Sequence, residues 1–363
     1  MIRINIETAS KPYAALIEQG LLRSAGTHIR EMMPDATRLF TVTVPPVRKH
    51  YGKTLGHSFE AAKLENAFID MPNGERYKTL DTVEDLGSRL VKLGADRRST
   101  IVTLGGGCVG DVGGFLAAIY MRGIDFVQVP TTLLAHIDAS VGGKTGVNLS
   151  LGKNLLGSFK QPSLVLIDPD VLLTLPDREF SSGLFEALKT GIIRSPQIFE
   201  FMESNREKIL RRDAAAMEWL IAECLRVKAS VVAEDEEEHG VRKVLNFGHT
   251  IGHALEAETG YRHFLHGEAV AWGMVAASMI AVGLQKASSA TAQRIISCIF
   301  SYAHLPKVDV KPRNILRRLA RDKKALAGNV QWVLPVEIGQ TEFVFDVPER
   351  AVLQSIEELR YLS

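Results

Sequence analysis

Two hydrophobic periods alternate along the first half of the chain. Between Arg38 and Leu175, short apolar runs, RLFTVTV (38–44), STIVTLGGG (99–107), DFVQVPTT (125–132) and SLVLIDPD (163–170), are separated by stretches of helical period. Short β-branched runs bounded by Gly, Pro and Asp predict buried strands, and the helical patterns between them predict a largely parallel sheet with crossover helices. The opening MIRINIETASKPYAALIEQG also alternates as a strand does. Beyond TLPDREFSSG (174–183) the pattern turns helical almost to the end, in amphipathic stretches such as DAAAMEWLIAECLRVKASVVAEDEEE (213–238), with one strand-like piece at VQWVLP (330–335). The expected organisation is an N-terminal α/β domain over 1–178 and a mainly α-helical domain over 179–363, with no internal repeat and no low-complexity linker.

Composition narrows the classes without altering that outline. Hydrophobic residues make up 46 % of the chain and the formal charge is +1, so neither a nucleic-acid surface nor a membrane surface is expected. The apolar run AVAWGMVAASMIAVGL (269–284) is shorter than the ~20 residues a bilayer requires and reads as a buried helix. The first residues lack the basic, apolar and small-residue order of a signal peptide, so a cytoplasmic protein is expected. Cys108, Cys224 and Cys298 show no CxxC spacing, which leaves any metal to histidine and carboxylate.

Three segments carry candidate chemistry. TLGGGCVGDVGGF (103–115) follows a strand, opens a helix and contains G-x-G-x-x-G at Gly105, Gly107 and Gly110. Such a loop lets backbone amides approach a pyrophosphate at a helix N-terminus. The acidic ribose partner expected about 20 residues on is missing, since the next strand ends in Pro130, Thr131 and Thr132, so a tight structural turn is an equal reading. DASVGGKTGVNLSLGKN (138–154) resembles a phosphate loop at GGKTG, but Asp138 stands where the first glycine would be required. Lys144 and Lys153, with Asn148 and Asn154 among glycines, suit a small phosphorylated or carboxylated ligand. In NFGHTIGHALEAETGYRHFLHGEAV (246–270), His249 and His253 share a helix face, and His266 precedes a second helix. The absence of Glu after His249 removes the general base of a zinc protease. A third ligand is open between Glu268, Glu256 and an acid elsewhere; SSGLFEALKTGI (181–192) offers Glu186 and Lys189 on one helix face.

Taken in order, these motifs resemble the 3-dehydroquinate synthase family. The matching segments run from NGERYK (73–78) through the glycine and lysine segments, LPDREFSSGLFEALK, VLNFGHTIGHALE and LHGEAVAWGM to RDKKALAG, across most of residues 70–335. The resemblance implies a Rossmann-like NAD-binding domain, a helical metal-binding domain and a divalent ion, zinc or cobalt. It implies conversion of a sugar-phosphate substrate, 3-deoxy-D-arabino-heptulosonate 7-phosphate, to 3-dehydroquinate in the shikimate pathway. By position, the metal ligands would be Glu186, His249 and His266. NAD would meet Asn73, Gly74, Glu75, Arg76, Tyr77 and Lys78, then Gly107, Cys108, Val109, Gly110 and Asp111, then Thr131, Thr132, Lys144 and Lys153, and finally Val171, Leu172, Leu173 and Thr174. Substrate would meet Asp138, Lys144, Asn154, Lys189, Lys228, Arg242, Asn246 and His253, with Lys323 or Lys324. The resemblance also implies a homodimer, in which Arg122 would reach the neighbouring subunit's substrate phosphate. Three positions depart from the family pattern: Val44 stands for an Asn or Asp, Asn73 for an Asp, and Thr190 for a Tyr.

Alternatives are a cyclase acting on another sugar phosphate, a metal-dependent polyol dehydrogenase that releases NADH, and a non-catalytic NAD-binding protein. The retained Arg242, Asn246, Asn154 and His253 argue against the first of these.

Overall fold

The computed structural model describes residues 1–36, 38–325 and 330–363, without the side chains of 321–325. Contacts divide the chain into two compact units, Met1–Leu175 with Met217–Glu237, and Pro176–Ala216 with Glu238–Ser363. The hydrophobic pattern suggested one boundary, near 178. An amphipathic helix such as Ala214–Glu234 shows that it has a buried face but not which core that face covers; from Met217 onward it belongs with the sheet.

The first unit is built on a seven-stranded sheet. Its strands are β1 (Ile2–Ile6), β2 (Tyr13–Ile17), β3 (Arg38–Thr43), β4 (Glu65–Asp70), β5 (Thr100–Gly105), β6 (Asp125–Pro130) and, after a separate hairpin of β7 (Lys144–Leu149) and β8 (Gly152–Phe159), β9 (Leu164–Ile167). The order across the sheet is β4-β3-β5-β6-β9-β2-β1, parallel except for the antiparallel β1–β2 pair at one edge. Alternating side chains fill a core on each face: Phe40, Val42, Ile69, Ile101 and Phe126 on one, Leu39, Val102, Leu104, Val127 and Leu164 on the other. Two covered faces explain why the central strands read as unbroken apolar runs. From β3 the chain passes to β4 on one side and later to β5 on the other, so the order reverses between β3 and β5. In open sheets of this kind, ligands bind outside the carboxyl ends of the strands at such a reversal. The glycine segment starts there, at the end of β5.

The second unit is helical. Its longest helices are Asp177–Arg194 and His266–Gly283, joined by Pro196–Ser204, His249–Glu258, Ser289–Tyr302, Pro312–Ala325 and Glu349–Leu362, and by a hairpin of β10 (Trp332–Glu337) and β11 (Gln340–Val344). The helix His266–Gly283 is buried continuously from Gly267 to Ser278. It can be so only because its partners approach at backbone distance. A methyl group on Gly273 would lie 1.8 Å from the Gly248 carbonyl oxygen, and one on Gly267 would lie 1.9 Å from that of Ser182. Gly248 itself has φ 78°, a left-handed conformation that caps the helix His249–Glu258. Among the described residues no helix is long and apolar enough to cross a membrane.

Two glycines of one helix should therefore respond in opposite ways to alanine. Gly273→Ala is expected to cost at least ~3 kcal/mol, because backbone must move to admit the methyl group. Gly283→Ala, with nothing within 4 Å, is expected to gain up to about 1 kcal/mol. Denaturant unfolding of the two variants checks the pair, and similar stabilities would refute the close-approach account.

Candidate functional site

In the first unit the glycine segment forms the start of the helix Gly107–Ile119, with Gly106 in extended conformation as its N-cap. Thr131 donates its amide to the Gly105 carbonyl (2.9 Å), and the Thr132 hydroxyl oxygen accepts from the Ala135 amide (3.2 Å), so both threonines belong to the loop that follows β6. A methyl group on Gly110 would meet the Gln128 side chain at 2.8 Å, which gives this glycine a packing reason independent of any ligand. Val109 is a core residue whose amide donates to the Gly106 carbonyl (3.0 Å) within the turn. Cys108 is no nucleophile: burial pushes its thiol up to about 12.

The segment Asn73–Lys78 is tied to the β7–β8 hairpin. Lys78 is buried and sets its Nζ 2.5 Å from both Asp111 Oδ2 and Asn154 Oδ1. Burial alone would lower the Lys78 pKa, but Asp111 and Glu75 outweigh it and the lysine stays charged. Asn148 Nδ2 donates to Glu75 Oε1 (2.8 Å), and its Oδ1 accepts from the Asn154 amide (2.9 Å). Asn154 holds φ 55°, where a short amide side chain is tolerated. The expected lysine loop is thus corrected to an antiparallel ribbon, with Lys144 opening β7 and Lys153 on β8. Asp138 is ion-paired with Lys228. At the turn Pro169–Thr174, Val171 and Leu172 are buried and Leu173 is exposed, while the Tyr51 hydroxyl donates to the Val171 carbonyl (2.9 Å) and contacts Thr174. Arg122 lies in the exposed turn after the carboxyl end of Gly107–Ile119, about 20 Å from the glycine loop by helix length.

The second unit gathers the histidines. One ligand atom each of His249, His253 and His266 lies within 4.8 Å of the others. Glu186, on the helix Asp177–Arg194, is fully buried beside them, with Oε1 at 3.6 Å from His266 Nε2 and 3.9 Å from His249 Nε2. Two donors ~2.1 Å from one tetrahedral zinc ion stand about 3.4 Å apart, a few tenths of an ångström closer than these pairs. Lys189, one turn on, places Nζ 2.5 Å from the other carboxylate oxygen. Glu186 Oε1 accepts no hydrogen bond among the described residues. A buried carboxylate oxygen turned toward two imidazole nitrogens is the arrangement a divalent cation satisfies.

Both imidazoles turn Nε2 toward that oxygen. His249 Nδ1 contacts the Phe247 carbonyl (3.1 Å) and His266 Nδ1 contacts Glu256 Oε2 (3.3 Å), which assigns each Nδ1 the proton and leaves each Nε2 its lone pair. Burial, with Lys189 and the neighbouring histidines, holds His249 well below the ordinary imidazole range. Burial would also lower His266, but Glu256 and Glu186 prevail and raise it. His253 is exposed on the same helix face as His249.

The other acids that the sequence left open have different tasks. Glu268 takes a bidentate contact from Arg178 (2.7 and 2.8 Å) and the Leu265 amide (2.7 Å), fixing the entry to the helix His266–Gly283. Glu256 lies behind His266, a position the sequence signals only by its i+7 spacing from His249 on one face. Arg242 is buried in the turn Val241–Asn246, and Asn246 Nδ2 donates to Glu238 Oε1 (3.0 Å). His263 instead contacts the Lys307 carbonyl (2.8 Å). The side chains of Lys323 and Lys324 lie outside the described residues.

Comparison with known proteins agrees with this architecture. Residues 68–182 match the family model described as 3-dehydroquinate synthase N-terminal, and residues 183–325 match that described as 3-dehydroquinate synthase C-terminal. A 3-dehydroquinate synthase of Koribacter versatilis is 55 % identical over 363 residues, 100 % of this chain and 99 % of the relative. Among solved structures, a 2-epi-5-epi-valiolone synthase of Streptomyces hygroscopicus with NAD+ and Zn2+ bound is 28 % identical with a TM-score of 0.89, covering 97 % of each chain. A 2-deoxy-scyllo-inosose synthase complexed with carbaglucose-6-phosphate, NAD+ and Co2+ is 27 % identical with a TM-score of 0.90, covering 98 % of this chain and 99 % of its own. Both family models are matched in succession and a relative aligns end to end, so the chain belongs to the 3-dehydroquinate synthase family.

Proposed function

We infer that this chain is a 3-dehydroquinate synthase, a carbon–oxygen lyase of the shikimate pathway that converts 3-deoxy-D-arabino-heptulosonate 7-phosphate to 3-dehydroquinate and phosphate. The observation that carries the reading is the 55 % identity across the whole chain to a protein of that name. The solved structures at 27 and 28 % identity are synthases named for other products. They share the fold and bind NAD+ with zinc or cobalt, and we extend both kinds of cofactor to this chain. A cytoplasmic location belongs to the same proposal.

Glu186, His249 and His266 would hold the metal. The alternative set of three histidines is less favoured because it would leave the Glu186 oxygen buried without a partner, while His253 has an exposed face to offer substrate. In the sheet-bearing unit, NAD would use the amides at Gly107–Asp111, at a helix start beside the reversal of strand order, together with Lys78, Thr131, Thr132, Lys144 and Lys153. With no acid at the end of β3, where Val44 stands, ribose recognition falls to other groups.

When bound, NAD supplies a reversible hydride acceptor for C5 of the substrate, and the metal a Lewis acid for its neighbouring hydroxyls. With C5 at the ketone level, the C6 proton is acidified and phosphate can leave. Lys189, Arg242, Asn246, Lys144, Asn154 and Lys228 are the proposed donors to the substrate's anionic groups. Buried donors such as Arg242 and Lys189 are fixed before reaction, so little reorganisation accompanies the charge that develops. His253 and Asp138 are the proposed proton-handling contacts. After C5 is reduced again, the ring opens and an enolate closes the carbocycle. A homodimer is proposed as well, in which Arg122 reaches the partner's substrate; its exposed turn and the exposed Ile119 and Met121 beside it suit that use.

Purified chain incubated with the heptulosonate phosphate, NAD and zinc is expected to release phosphate and dehydroquinate in equal amounts with no net gain of NADH absorbance. Absent phosphate release would overturn the assignment, and accumulating NADH would favour a dehydrogenase.

His249→Ala is expected to lose the metal and to lower kcat by at least about 1,000-fold, whereas His253→Ala keeps the metal and loses rate. Metal analysis of the two proteins decides between them, since equal loss in both would restore the three-histidine set.

Metal affinity should also fall with acidity. His266 has a raised pKa, so its proton begins to compete with metal above the ordinary imidazole value of about 6.5, and apparent affinity should drop about tenfold per unit below that point. His249, lowered by burial and by Lys189, takes up its proton at a lower pH than His266 does. Chelator competition between pH 5 and 8, as a range of about three units, measures the slope; a flat profile would contradict the assignment of His266.

A further inference from the structure

We propose that Glu256 is a positioning residue for the metal centre, holding His266 in the tautomer and orientation that present Nε2 to the ion. The inference rests on the metal reading above and adds a residue to it. Glu256 is 2 % exposed, and a carboxylate so deeply buried is costly unless its charge is answered. Its Oε2 lies 3.3 Å from His266 Nδ1, while Nε2 on the far side of the same ring lies 3.6 Å from the orphaned Glu186 Oε1. The imidazole thus bridges two buried carboxylates, one in line to be a ligand and one behind it.

His249 is held differently. Its Nδ1 meets the Phe247 carbonyl, a neutral acceptor supplied by the backbone just before the same helix. A carboxylate behind an imidazole makes it a stronger donor than a carbonyl does, so the two histidines become unequal ligands. Glu256 and His249 lie two turns apart on one helix, and His266 begins the next. The helix His249–Glu258 therefore carries one ligand directly and orients the other through Glu256.

The test uses the full-length protein stripped of metal and titrated with zinc against a chromophoric chelator, then loaded with cobalt for its visible absorption spectrum. Wild type is expected to bind one ion. Glu256→Gln keeps shape and a hydrogen-bond acceptor but removes the charge, and is expected to weaken zinc binding about 10- to 100-fold and to shift the cobalt bands. Its metal-free thermal unfolding should stay close to that of wild type. Unchanged affinity and unchanged cobalt bands in Glu256→Gln, with metal lost in His249→Ala, would overturn the role of Glu256 and leave the metal site standing. A wild type that takes up no metal would overturn the metal reading itself. Should Glu256→Gln fail to fold, NMR of the zinc-loaded wild type serves instead: a slowly exchanging, downfield Nδ1 proton on His266 supports the contact, and its absence refutes it.

Discussion

The backbone-to-backbone contacts made by the helix His266–Gly283 govern the geometry of the helical unit. Gly267 lies against the Ser182 carbonyl and Gly273 against that of Gly248, at separations that any side chain would prohibit. Each contact point is next to a proposed ligand in sequence: Ser182 is one turn before Glu186, Gly248 directly precedes His249, and Gly267 directly follows His266. Close packing of three helix segments is therefore also what converges one carboxylate and two imidazoles. Small residues here do more than fill space, because a fraction of an ångström at the contact is carried directly to the donor atoms.

Charge supplies the second constraint on that unit. Glu186, Lys189, Arg242 and Glu256 are all nearly inaccessible to solvent, a concentration of buried charge that hydrophobic packing would not tolerate on its own. Lys189 faces Glu186 with opposite charge and His266 Nδ1 meets Glu256, but Glu186 Oε1 accepts no hydrogen bond among the described residues. The electrostatics of the folded chain thus favour a cation at that oxygen. In the sheet-bearing unit the corresponding device is Lys78, buried and bridging Asp111 to Asn154, which ties the strand-to-helix loop after β4 to the β7–β8 ribbon.

Legibility in the sequence followed burial. β5, β6 and β9 lie in the middle of the sheet and announced themselves as apolar runs; β4 did not, since ENAFID is an edge strand with mixed, half-exposed positions. β11, QTEFV, and the β7–β8 ribbon were hidden for the same reason, the latter behind glycines that resemble a loop. Among site residues, His249, His253 and His266 were visible as a cluster, and Glu186 with Lys189 as charged residues amid small and apolar neighbours. The motif HTIGH could not say which histidines work together, because helical spacing places His249 and His253 on one face irrespective of where a third donor comes from.

By itself, the sequence determined the local terms: strand and helix periods, the glycine-started helix after β5, and the supply of imidazole, carboxylate and amine side chains. These follow from short-range patterns that one segment carries within itself. The tertiary structure alone decided that the helix Ala214–Glu234 joins the sheet, that Glu268 is spent on Arg178 and the Leu265 amide, and that Glu256 stands behind His266. Those outcomes depend on which backbones come within a few ångströms of each other, and residues far apart in the chain meet only after the cores have packed.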